Sequence, residues 1–301
     1  MIKFADKNML DDLKNIWKEC FYLDFYSPYG VFYITNIFNN YKPLVYFVDG
    51  KIVSMLTLMP VSLTSGNKVF YGFYIYGVGT LKKYRNRNIA TRMLNWVEEY
   101  SKKLSIDFNI LIPANGNKHL HHFYFKRGFK INVKQRVILL TKNEVVNFIT
   151  NADDVFDFEL GMQSSLLKKL RAENYNSNLN FIAWGENELD IIKKEFTLPG
   201  EKQYILNFGK GRYTIVDLKN KLKLKIVEHN IKQNDMGSFL KTLLTNYPQY
   251  EFFEFTIPNS GYYYNGFNVD FFKLDKAMLK FLKKELVDYT KPFYFNFGLD
   301  T

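Results

Sequence analysis

The stretch Gly77-Val78-Gly79-Thr80-Leu81-Lys82-Lys83-Tyr84-Arg85-Asn86-Arg87-Asn88-Ile89-Ala90-Thr91-Arg92-Met93-Leu94 gathers the residues best suited to chemistry. An apolar strand runs into a short basic loop and then into apolar residues at helical spacing. The first turn of such a helix exposes backbone N–H groups that the helix cannot satisfy, at the positive end of its dipole. Those donors suit a pyrophosphate. Arg85 and Arg87 add positive charge in the same place, and the small Ala90 lets phosphate oxygens approach the backbone. Gly77 and Gly79 interrupt the strand, which fits either a bulge or the close approach of a ligand. A kinked strand end before an ordinary basic turn is the plain alternative.

A second run, Phe123-Tyr124-Phe125-Lys126-Arg127-Gly128-Phe129, places a phenol on a short helix stopped by glycine. A phenol there can donate a proton, and Tyr124 can equally be a packing residue on an aromatic helix. His119, His121 and His122 precede it, and His121 shares a helix face with Tyr124. A proton relay is one reading, but solvent-facing histidines at a helix start are favoured. A metal is disfavoured, because no cysteine or clustered carboxylate accompanies them. The single cysteine, Cys20, reads as a small buried apolar residue at a helix end rather than as a nucleophile.

Together these runs resemble the GNAT acetyltransferase family. The family's pyrophosphate motif, Arg/Gln-x-x-Gly-x-Gly/Ala, is met by Arg85-Asn86-Arg87-Asn88-Ile89-Ala90, with Asn88 where glycine is usual; asparagine tolerates left-handed backbone best after glycine. The later aromatic-Tyr-x-x-x-Gly-Phe signature is met by Phe123–Phe129. The resemblance implies acetyl-CoA as co-substrate, bound by Arg85, Asn86, Arg87, Asn88, Ile89, Ala90 and Thr91. It implies that the strand around 75–80 holds the pantetheine arm, with Val78 and Thr80 the expected contacts, and that Tyr124 is the general acid. Some members carry a glutamate base on this strand; the matching position holds Tyr74, so the base stays unidentified.

The elements that position these residues follow from periodicity and turn signals. The first half reads β-α-α-β-β-β-α-β-α-β: a strand at 2–5, helices at 9–21 and 31–39, strands at 43–48, 52–63 and 69–80, a helix at 89–104, a strand at 108–112, a helix at 119–126 and a strand at 129–140. Residues 142–180 read as a helical connector. The second half then repeats the order, with strands at 204–208, 213–218 and 222–229, a helix at 236–247 and a strand at 250–257. The fold expected is α+β: two tandem GNAT-like domains, 1–141 catalytic and 181–301 degenerate, each a mixed sheet flanked by helices. This arrangement resembles that of Eis-like acetyltransferases. The second strand-to-helix junction, Glu228–Met236, has no arginine and carries Asp235, so no second CoA is expected there. The C-terminal Thr301 is a candidate for the missing base, and Tyr262–Phe267 reads as a pocket wall or an edge hairpin.

Composition bounds the alternatives. The chain has 301 residues, 47% hydrophobic, enough for a core and against disorder. No apolar run is long enough to span a membrane and no secretory signal is seen, so a cytoplasmic protein is expected. The net charge of +11 is mostly dispersed lysine, and nucleic acid is disfavoured as a partner. The function expected is transfer of an acetyl group from acetyl-CoA to the amine of a small molecule or peptide. The alternatives are a non-catalytic acyl-CoA-binding protein and an aminoacyl-tRNA-dependent transferase of the Fem type. An exposed sheet in the second domain could support a homodimer.

Overall fold

The computed structural model describes residues 1–114, 117–149, 154–175, 178–260, 271–283 and 287–296. In chain order the elements are β1 (Ile2–Phe4), α1 (Leu10–Phe21), α2 (Pro28–Phe32), α3 (Asn39–Tyr41), β2 (Leu44–Val48), β3 (Lys51–Ser65), β4 (Lys68–Thr80), α4 (Ile89–Lys103), β5 (Phe108–Leu111) and α5 (Lys118–Phe125). Then follow β6 (Ile131–Thr141), α6 (Lys142–Phe148), β7 (Glu159–Leu160), α7 (Ser164–Tyr175), β8 (Asn180–Trp184), α8 (Glu186–Phe196), β9 (Gln203–Asn207), β10 (Tyr213–Asp217) and β11 (Lys223–His229). The last are α9 (Met236–Asn246), β12 (Phe252–Pro258), β13 (Phe271–Phe281) and β14 (Phe293–Tyr294). The chain divides into two compact units, one of residues 1–63, 68–132 and 277–287, the other of 64–67, 133–276 and 288–301.

In the first unit β1 to β5 lie side by side in chain order. The β1–β2 and β2–β3 pairs are antiparallel, and β4–β5 is parallel. Helix α4 forms because Ile89, Met93, Leu94 and Val97 fall on one face and bury it. Each such side chain contributes about 2 kcal/mol of apolar burial. They meet Leu56, Ile75, Leu111 and Phe129 in the unit's core. Glycine lets β4 and β5 approach at Gly72, where a Cβ would lie 2.4 Å from the Phe108 ring.

The β4–β5 register covers only Gly72↔Phe108, Phe73↔Asn109 and Tyr74↔Ile110, although β4 runs on to Thr80. The two strands therefore part after Tyr74. Gly77 sits in that free stretch with φ +62°, a conformation that a side chain would strain. Behind it, α1 packs on β4: Trp17 is fully buried, and its ring is 3.4 Å from where a Gly77 Cβ would stand.

The boundary at 141 is not where the units part. From Val133 onward β6 belongs to the second unit, where it pairs antiparallel with β12 from Gln135↔Pro258 to Thr141↔Phe252. The strand beside β5 in the first unit is instead the end of β13, with Met278↔Leu111 through Phe281↔Phe108. The stretch read as a connector contains α6 and α7 and a short strand, β7, paired with β9.

In the second unit β9, β10 and β11 form an antiparallel meander, and β11 runs parallel to β12 after the α9 crossover. That is the order of β2-β3-β4-α4-β5, so the repeat read in the sequence is present as architecture. Its core gathers Leu206, Val216, Ile226, Phe239, Leu243 and Phe255. The candidates Tyr262–Phe267 and Thr301 lie outside the described residues.

Candidate active site

The free end of β4 is held from below by a buried serine. Ser54 on β3 donates to the Gly79 carbonyl at 2.6 Å and shares a 2.8 Å hydrogen bond with the Thr80 hydroxyl. Thr80 therefore turns its side chain into the sheet. Its carbonyl accepts from Arg85 Nε at 2.9 Å, so the chain folds back on itself across a tight basic turn. Arg87 lies 5.3 Å over the Tyr84 ring. Asn86 and Asn88 both adopt left-handed backbone, at φ 61° and 59°.

Asn88 is the N-cap of α4 and makes no side-chain capping bond. The N–H groups of the first helical turn are thus left for another acceptor. With the helix dipole behind them and Arg85 beside them, they present donors of the kind an anion takes.

Helix α5 supplies the facing side. Asn117 caps it, accepting from His119 N at 3.1 Å and Leu120 N at 3.2 Å. Arg127 lies 3.4 Å over the Phe123 ring and donates to the Phe123 carbonyl at 2.6 Å. Its Nε reaches the Thr91 hydroxyl on α4 at 3.0 Å. Tyr124 is buried against Phe123 and Phe129. Burial pushes its phenol up to about 12, so the hydroxyl carries its proton at any physiological pH.

These parts enclose one cleft of about 710 Å³. Val78, Thr80, Arg85, Asn86, Asn88, Ile89, Ala90, Thr91 and Tyr124 all line it. Arg87 does not line it; its guanidinium is turned onto Tyr84. The hydroxyl of Thr91 is engaged by Arg127. The three histidines do not line the cleft: His119 and His122 are exposed and His121 is half-buried. Among the described residues no group of histidine, cysteine and carboxylates is placed to hold a metal ion.

Cys20, Asn117 and Arg127 are among the cleft residues that the sequence did not point to. Cys20, read as a buried apolar residue, is half-buried and lines the cleft, 3.9 Å from Arg85 Nη2. Burial pushes its thiol up, so it remains protonated. Asn117 precedes the aromatic signature and Arg127 lies within it, where a capping residue and a cation were visible but their aim was not. Tyr74, standing where a base is sometimes found, is buried and stacks on Tyr76; the Tyr76 hydroxyl meets Tyr29 at 2.9 Å. Among the described residues, those lining the cleft include two arginines and no carboxylate or histidine.

Residues 1–132 match the acetyltransferase (GNAT) domain family. A probable N-acyltransferase of Enterococcus faecalis V583 shares the fold at a TM-score of 0.77 and 12% identity, over 94% of this chain and 72% of that one. A GCN5-related N-acetyltransferase of Anabaena variabilis gives 0.74 at 14% identity, over 94% and 73%. Eis1 of Mycobacterium abscessus gives 0.62 at 10% identity, over 94% and 74%. At these identities the likeness is one of fold. No curated protein matches the sequence. No helix among the described residues is long and apolar enough to cross a membrane.

Proposed function

We propose that this chain, which carries an acetyltransferase (GNAT) domain over residues 1–132, transfers an acetyl group from acetyl-CoA to a primary amine of a small molecule or peptide. One observation carries the reading: the end of β4 that β5 leaves uncovered, the uncapped start of α4 and the Tyr124 phenol border a single cleft.

In that cleft the first-turn N–H groups of α4 and the Arg85 guanidinium hold the pyrophosphate. The backbone of Val78 and Thr80 hydrogen-bonds the amides of the pantetheine arm as an added strand would, because β4 has no strand partner there on the β5 side. The incoming amine attacks the thioester carbonyl carbon, and the carbon–sulfur bond breaks as the oxyanion collapses. Tyr124 gives its proton to the leaving sulfur and recovers one from solvent. Among the described residues no carboxylate or histidine lines the cleft, so on this reading the amine arrives neutral or yields its proton to water.

Calorimetry with acetyl-CoA tests the reading. Micromolar binding that Arg85→Glu with Arg87→Glu abolishes supports it, followed by acetylation assays on a panel of amines. Absence of binding to the unaltered chain, with salt-sensitive tRNA binding instead, would replace it with an aminoacyl-tRNA-dependent activity.

A further inference from the structure

We infer that the second unit carries a separate binding site for a small phosphate-bearing anion, in the cleft of about 430 Å³ between α7, the β9–β10 turn and the β11–α9 junction. This junction is the repeat's counterpart of the basic turn in the first unit, and in sequence it lacks arginine. The structure supplies the cations from elsewhere. The turn Gly209-Lys210-Gly211-Arg212 swings Lys210 and Arg212 onto the cleft, where Lys232 joins them.

The turn is rigidly built. Gly209, Lys210 and Gly211 have φ of 68°, 50° and 73°. Arg212 N closes it on the Gly209 carbonyl at 3.0 Å. Asn230, at the end of β11, straps it down: its Nδ2 donates to the Gly211 carbonyl and its Oδ1 accepts from Tyr213 N, both at 2.7 Å. Lysine between two glycines in left-handed backbone is a costly choice, which the aim of its side chain into the cleft explains.

Three cations and two carboxylates line the cleft, and neither carboxylate is paired with Lys210 or Lys232. Asp235 pairs with Arg212 at 3.5 Å, and Glu173 pairs with Lys169 at 3.9 Å. Lys210 and Lys232 have no ion-pair partner among the described residues. Arg212 is itself under-used: its Nε is buried with no hydrogen-bond acceptor, and its face is covered by Phe156 at 4.1 Å. A tetrahedral dianion between the two lysines would find two free ammonium groups. The flanking Asp235 favours a single phosphate over an extended pyrophosphate.

The test uses the full chain carrying Arg85→Glu and Arg87→Glu, so that the first unit's turn is silent. Inorganic phosphate and a phosphate monoester, glucose 6-phosphate, are titrated by calorimetry at constant ionic strength, with chloride as the control. Saturable binding that Lys210→Glu with Lys232→Glu weakens about tenfold or more is the expected result. Both lysines are exposed, so circular dichroism should show the fold intact. Tighter binding of the monoester than of inorganic phosphate would identify a phosphorylated metabolite as the ligand, and the reverse would identify free phosphate. Binding unaffected by the lysine pair, binding lost with the first-unit arginines alone, or no saturable binding overturns the inference.

Discussion

Arg127 donates from both Nε and Nη2 to the single hydroxyl of Thr91, lacing the end of α5 to the first turn of α4. The guanidinium thereby stands at the edge of the cleft with its charge beside the proposed phosphate site. Arg127→Met should weaken acetyl-CoA about tenfold, the loss of one charge-assisted interaction. Thr91→Val keeps the charge but frees the arginine, so the loss should be smaller. Calorimetry on both variants decides. Equal, unchanged affinities would make the pair a structural latch only.

Asn88 holds left-handed backbone at φ 59° as the N-cap of α4. A β-branched side chain in that conformation costs about 1–2 kcal/mol, whereas glycine adopts it without penalty. Asn88→Val should therefore melt a few degrees, about 3–6 °C, below the unaltered chain. Asn88→Gly should melt within about 2 °C of it and retain acetyl-CoA affinity. A melting point that does not distinguish the two variants would show that the turn relaxes out of this geometry.

Tyr124 is raised to about 12 by burial. As the proton donor it must stay protonated through the working range, and this shift ensures it. Tyr124→Phe should lower kcat by about 100-fold and leave acetyl-CoA affinity unchanged. The acidic form persists, so the rate of the unaltered enzyme should show no alkaline fall from this phenol below about pH 11. Full kcat in Tyr124→Phe would return the residue to a packing role.

How much of this was legible depended on range. The α4 turn was readable because its signal is local: basic residues, Asn88 and Ala90 sit next to the apolar periodicity that starts the helix. Tyr124 was readable for the same reason, on a helix stopped by Gly128. The exchange of edge strands was not. Nothing in Ile131–Thr141 says that it pairs with Phe252–Pro258 rather than with Phe108–Leu111, because alternation reports which face is buried and not which neighbour lies alongside. Lys210 and Arg212 were hidden likewise: their relation to the β11–α9 junction exists only once the β9–β10 turn is folded over it. Arg87 differs in the opposite sense: its place in the turn points it at the cleft, and its guanidinium lies over Tyr84 instead.

His229, at the end of β11, gives the second unit a pH dependence whose sign can be worked out. It packs 5.9 Å from both Phe239 and Phe255, and its Nδ1 accepts from Ile231 N at 3.1 Å. Burial lowers its pKa from 6.5 to about 4. Above pH 6.5 the imidazole is neutral in the folded and the unfolded chain, and contributes no pH dependence. Between 6.5 and 4 the unfolded chain takes up a proton that the folded chain refuses, so the unfolded state binds more protons and stability falls as pH falls. At pH 5 this amounts to about 2 kcal/mol relative to pH 7.5. Urea midpoints at the two pH values should show that loss in the unaltered chain. His229→Asn can still accept from Ile231 N but never gains a charge. It should start less stable at pH 7.5, through lost packing on the two phenylalanines, and then lose less on acidification. An identical loss in the variant would mean that the folded chain protonates this imidazole as readily as the unfolded one does.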